Sequence, residues 1–329
     1  MSTTKASRKK RDKRKKGGRT LPLLLAGAGF GTALGVALGS MVLAPAMNMA
    51  TLEYGWTMEG GPSEEDLKQV EQRLSASDSV VAATAPKAVA GQLKDQPILV
   101  MATADATEAD VSAVQTLLKQ AGAKDAGFLQ LKESFFAQEG ADSLKTLVAN
   151  ALPAGAKLST EKIDSGTHSG QALAAALGVK KDSAKPMASE TDRAALLGAL
   201  EGQDFVSMKA PRGNDALQPA RAVVLVTGDS AAGGNPGGGV VANNQAAFAE
   251  GLDSSGIQTV LLAPESATEI GGVLATVRKD KKSGVSTVDG SERAAGRVAA
   301  VLAVSEQLAG KSGHYGSADS ATAVLPSLD

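Results

Sequence analysis

Apolar positions follow two different rhythms along this chain. From Thr20 to Leu52 no side chain is charged, and Leu21–Leu43 is almost wholly apolar. Twenty-three helical residues rise about 35 Å, enough to cross a hydrocarbon core of about 30 Å, so one transmembrane helix is predicted over 21–43. Pro45 disfavours its straight continuation, and Tyr54 and Trp56 suit a membrane–water boundary. Gly27, Gly31, Gly35 and Gly39 recur every four residues. Such a stripe bares the backbone on one helix face and predicts a homo-oligomer formed through the span.

Beyond the span the rhythm shortens. Gly60-Gly61-Pro62 reads as a break, and Ser63-Glu64-Glu65-Asp66 opens a short helix with a capping serine and acids in its first turn. Leu67, Val70 and Leu74 form a seam of barely two heptads, so residues 44–96 are read as a juxtamembrane and short coiled-coil segment. Packing of this helix on the globular body is an equal alternative.

From Pro97 short apolar runs alternate with helical patterns. Strands are predicted at 98–101, 127–131, 222–227, 259–263 and 285–288, and helices at 108–121, 143–151, 240–252 and 292–309. This alternation predicts an α/β fold: two βα-type halves, 97–154 and 220–316, forming a mostly parallel, Rossmann-like sheet. The Ala-rich residues 155–218 between them are read as helices plus loops, and 317–329 as a disordered tail.

Charge sets the direction of the span. Residues 1–20 carry ten basic groups against Asp12 alone, whereas residues 21–329 carry 24 basic and 34 acidic groups, a net of −10. The positive-inside bias keeps the basic tail, 1–20, in the cytoplasm and places the acidic α/β domain, 97–316, outside the cytoplasm. That body would repel nucleic acid, so the bilayer is the expected partner of the tail and span. Ala44-Pro45-Ala46 resembles a signal-peptidase site, but the apolar run exceeds a usual signal core of about 7–15 residues, which favours an uncleaved signal anchor.

Few residues carry catalytic promise. The chain has no cysteine and two histidines, His168 and His314. It contains no G-x-S-x-G elbow, S-x-x-K, H-E-x-x-H or G-x-x-x-x-G-K-[ST]. Gly237-Gly238-Gly239-Val240-Val241-Ala242 matches G-x-G-x-x-A within the glycine-rich segment 228–239. About ten residues separate the match from the preceding strand, whereas a dinucleotide fingerprint follows its strand directly. A surface loop is the reading preferred here, and no catalytic residue or resident cofactor is assigned. Asp289-Gly290-Ser291-Glu292 matches a helix-capping box, and His314 is read as a turn histidine. Met47 and Met49, near Met41, Met58 and Trp56, present soft thioethers of the kind that select Cu(I). Methionine filling greasy juxtamembrane sequence is the simpler account of that pair.

The C-terminal motifs Val285-Ser286-Thr287-Val288-Asp289, Gly296-Arg297, Val301-Leu302-Ala303, Glu306-Gln307-Leu308 and Gly313-His314-Tyr315-Gly316 resemble the signature of the MctB family. The order of features, from membrane segment through short coil to two α/β halves, is similar across residues 21–316. The resemblance implies an actinobacterial cell-envelope protein, without enzymatic activity, that serves copper transport or efflux and copper homeostasis, copper being the transported ion. A SteB-like branch of the family implies instead a scaffold that works with a membrane partner to regulate peptidoglycan hydrolysis. One spanning helix cannot enclose a channel, so a pore would need many copies or another envelope protein.

Overall fold

The computed structural model describes residues 64–181, 183, 185–230 and 238–327. The predicted span, its glycine stripe and the pair Met47 and Met49 lie outside them. Among the described residues no helix is long and apolar enough to cross a membrane.

The chain divides into two compact units between Ala76 and Ser77. In the first, the described residues are the opening turns of helix α1 (Glu64–Val89), which runs for 26 residues where a short helix was expected. Leu67 and Val70 of the predicted seam stand exposed on it.

The second unit begins within α1 and continues through β1 (Pro97–Ala102), α2 (Glu108–Gln120), β2 (Lys124–Leu131), α3 (Glu133–Phe136), α4 (Ala141–Asn150), α5 (Ser165–Leu177), α6 (Glu190–Gly202) and β3 (Val206–Lys209). It closes with β4 (Ala222–Val226), α7 (Gly238–Ser254), β5 (Gln258–Leu262), α8 (Val273–Lys279), β6 (Ser286–Val288), α9 (Ala294–Leu308) and β7 (His314–Tyr315). The strands form one sheet of seven in the order β3-β2-β1-β4-β5-β6-β7, parallel except where β3 joins β2. The predicted halves therefore share a single sheet, joined where Ile98 pairs with Ala222 and Ala102 with Val226.

Period-two alternation divides two cores. Leu99, Met101, Leu129, Val223, Leu225 and Leu261 face one layer of helices, and four of the six phenylalanines gather there. Phe135 meets Phe136 and Phe248 edge-on at ring-centre distances of 5.0 and 5.4 Å. On the other face Ile98, Val100, Val224, Val226 and Val260 pack against α2, α9 and the end of α1 through Val111, Val298, Val301 and Val89. Burial on both sides explains why β1 and β4 read as unbroken apolar runs.

The Ala-rich region contains α5 and α6 as expected, and also β3, an antiparallel edge strand that the pattern did not reveal. Only Val206 of its four residues is buried, so the strand carries little alternation. Helix α5 crosses α7 so closely that a Cβ at Gly166 or Gly170 would strike the Asn244 or Phe248 carbonyl. Small side chains allow that approach, which is why α5 shows no strong apolar face.

Two further expectations are overturned. Residues 317–327 are not disordered: Thr322 N donates to the His314 carbonyl at 2.7 Å, and Gly316 N to that of Ala323 at 3.0 Å. These bonds satisfy backbone that the β7 edge would otherwise leave open. Asp289 does not cap α9, because its carboxylate faces Arg278 instead. The helix begins at Ala294, whose N–H donates to Asp78 Oδ1 of α1 at 2.7 Å, a cap delivered across 216 residues of sequence.

Asp78→Ala removes this cap and should lower unfolding stability by about 1 kcal/mol, with little change in far-UV circular dichroism. Urea denaturation of the parent and variant checks it; equal midpoints would dismiss the cap.

Candidate functional site

Open α/β sheets bind ligands beyond the carboxyl ends of their strands, where the winding direction reverses. Here that point lies between β1 and β4. The same tripeptide pattern leaves each strand: Thr103-Ala104-Asp105 after β1 and Thr227-Gly228-Asp229 after β4. The register Ala102 to Val226 sets the two threonines side by side. With Lys132, Glu133, Ser230 and Gln245 these loops bound a cleft of about 510 Å³.

The two tripeptides are bonded differently. Thr103 Oγ1 donates to Asp105, and Gln245 Nε2 donates to the same carboxylate at 3.4 Å. Ser230 Oγ donates to Gln245 Oε1 at 3.3 Å. Thr227 is buried, yet its Oγ1 has no hydrogen-bond partner, and neither has Asp229 Oδ2. Unsatisfied buried oxygens are uncommon, because each forfeits the hydrogen bonds it makes in water. The cleft is thus rich in acceptors, and Lys132 lines it together with the acids Asp105, Asp229, Glu133 and Glu139. Its oxygen donors are hard, the opposite of what Cu(I) prefers.

The motif residues near the C-terminus converge elsewhere. Arg278 and Asp289 form an ion pair at 2.9 Å with side chains 4% and 0% exposed. Arg278 also donates to Thr287 Oγ1, Ser320 Oγ and the Tyr315 carbonyl. Asp289 Oδ1 accepts from Ser317 N at 2.7 Å, and the tight turn at Gly316 (φ +132°) leaves no room for a Cβ beside that carboxylate. Tyr315 donates its hydroxyl to Glu306, and Gln307 Nε2 donates to Ser286 Oγ at 2.9 Å. Arg297 and Ser291 both bond Asp110, at 2.7 and 3.2 Å. This constellation ties α8, α9, β6 and β7 together rather than opening a pocket.

Neither histidine lines the cleft between β1 and β4. His168, on α5, has its Nε2 2.9 Å from the Ser159 carbonyl. His314 belongs to β7, not to a turn, and its Nδ1 faces Thr287 Oγ1 at 3.0 Å. Burial, helped by Arg278, lowers the His314 pKa. Among the described residues no three His, Cys, Asp or Glu side chains are grouped to hold a metal ion. The glycine-rich segment is described at 228–230 and from Gly238, where α7 starts; residues 231–237 fall outside the described set.

Sequence reasoning missed the cleft. Its signal was the repeated Thr-x-Asp after the two most apolar strands, which becomes meaningful only once those strands are neighbours.

The family model described as "Copper transport outer membrane protein, MctB" matches residues 22–326. Proteins named Copper transporter MctB from Mycobacterium tuberculosis (strain ATCC 25618 / H37Rv) and Mycobacterium bovis are each 31% identical over 262 residues, covering 78% of this chain and 81% of theirs. One from Mycobacterium leprae is 32% identical over 234 residues, covering 69% of this chain and 72% of its own.

Thr227→Val should raise stability by roughly 1 kcal/mol, since it removes an unpaired buried hydroxyl at constant shape. A loss in urea unfolding would mean that the hydroxyl already has a partner. His314, whose native pKa lies below its unfolded value of 6.5, binds more protons when unfolded. Its contribution is therefore complete above pH 6.5 and declines as the pH falls below that value. Melting curves between pH 5 and pH 8 should show this decline weakened in His314→Gln.

Proposed function

Because the chain belongs to the MctB family of copper transport outer membrane proteins, we propose that it serves copper transport and homeostasis in the cell envelope as a membrane-anchored, non-enzymatic protein. The family match over residues 22–326 carries this reading. In it, Leu21–Leu43 anchors the chain with its basic tail in the cytoplasm, and Gly27, Gly31, Gly35 and Gly39 bring copies together in the bilayer. Copper is cargo, not a resident cofactor. Among the described residues no three His, Cys, Asp or Glu side chains are grouped to hold it, and Met47 and Met49 are the thioethers proposed to meet the ion.

A second reading, an envelope scaffold acting through a protein partner, is favoured by one observation: a groove of about 1010 Å³ beside α2 is bordered by basic side chains, which do not recruit a cation.

A strain lacking the protein should be more sensitive to copper than its parent, and full-length protein should restore growth. Met47→Ala/Met49→Ala should restore it less well at equal abundance in the membrane. Unchanged copper tolerance combined with sensitivity to wall-damaging antibiotics would sink the copper role and leave the scaffold.

A further inference from the structure

The sheet is unevenly covered. In a doubly wound sheet the β1–β2 and β2–β3 crossovers lie on the same face. Here α2 obeys, but β3 runs antiparallel to β2, so their connection is no crossover, and it packs on the opposite face through Phe135, Leu144, Leu173 and Leu196. The place beside α2, over β2 and β3, is left as a groove of about 1010 Å³.

Its construction is specific. Strand β2 bulges at Ala126–Gly127, so that Ile98 pairs with Asp125 but Val100 with Phe128. The extra residue turns both Asp125 and Phe128 onto the groove face. Gly127, at φ +108°, lies where a Cβ would collide with Leu217 and the Lys209 carbonyl, so the segment after β3 closes directly over the bulge. Ile98, Val100 and half-buried Phe128 supply an apolar floor.

The rim is basic on both sides. Lys119 stands on α2, and Lys209 and Arg212 stand across from it on β3 and the segment beyond. None of these three has a carboxylate partner among the described residues. Lys124 pairs with Asp95 at 3.5 Å, but both side chains are 65% exposed, and such pairs hold weakly. Asp125, the one acid of the lining, already accepts from Gly127 N at 2.8 Å. Cations thus border an apolar trough in a body whose net charge is strongly negative.

We propose that this vacant helix position receives an amphipathic helix from a separate envelope protein, its apolar stripe on Phe128 and its flanking acids against Lys119, Lys209 and Arg212. The β2–β3 connection leaves this strip of sheet beside α2 open, and charge complementarity selects an acidic helix for it. The inference rests on the scaffold reading and is independent of copper transport.

The test places p-benzoylphenylalanine at Thr116 or Asn214, on the two sides of the groove, in the full chain in its native membrane, with Lys162 as a remote control position. Irradiation should link both groove positions, but not the control, to one protein. Mass spectrometry should map the link to a helical segment with acids flanking an apolar stripe. Lys119→Glu/Lys209→Glu should cut the yield roughly tenfold, as should Arg212→Glu, with melting temperatures held near the parent's. Undiminished yield in these folded variants overturns the proposal. So do links to lipid, to glycan, to a second copy of this chain or to a basic segment, and so does the absence of any link. The copper-growth assay, run on the same variants, reads the other role separately.

Discussion

A buried ion pair, Arg278 with Asp289, holds the free end of the sheet in place against the usual handedness of the fold. The crossovers β4–α7–β5 and β5–α8–β6 advance across the sheet with their helices on the Phe248 face. The step β6–α9–β7 advances the same way, yet α9 lies on the opposite face. Its hand is therefore opposite to theirs, an arrangement that right-handed strand twist strongly disfavours. Local interactions must hold it. Two desolvated charges would be a poor clamp if their remaining donors and acceptors went unmet. Here Thr287, Ser320, the Tyr315 carbonyl and Ser317 N meet them.

From that arrangement follows the distribution of cover. Helix α9 supplies more of the second core than any other helix, with Val298, Val301, Leu302 and Val304 over the centre of the sheet. One edge of the same face, over β2 and β3, is left without a helix. The cleft at the switch point between β1 and β4 is small, and the adjoining Thr227 is buried. Two concave features of opposite charge thus come from one sheet, one at strand ends and one on a strand face.

The legible part of the fold was the part that hydrophobic patterning controls. Ile98–Met101 and Ala222–Val226 are buried on both sides, so their runs announced central strands before any pairing was known. Helix α2 carries its own start in Thr107, whose side chain accepts from Asp110 N. What stayed hidden depended on distant partners. Asp289 precedes a helix by the spacing of a capping box, and nothing local says that Arg278 claims it first. The true cap, Asp78, lies on another helix. Helix α5 is written in Gly and Ala because α7 presses against it, so it shows almost no periodic face. The candidate cleft was invisible for the same reason, since Thr103 and Thr227 acquire meaning as neighbours only through the sheet.

The contact between Asp78 and Ala294 has a mechanical side. Helix α1 joins the folded body to what precedes it in the chain, and its Asp78 grips the first turn of the well-packed helix α9. Along α1 from Ser77 onward, tension would meet that carboxylate before the apolar contacts of Val81, Ala85 and Val89. That bond would act as a fuse, yielding before the sheet behind it feels the load.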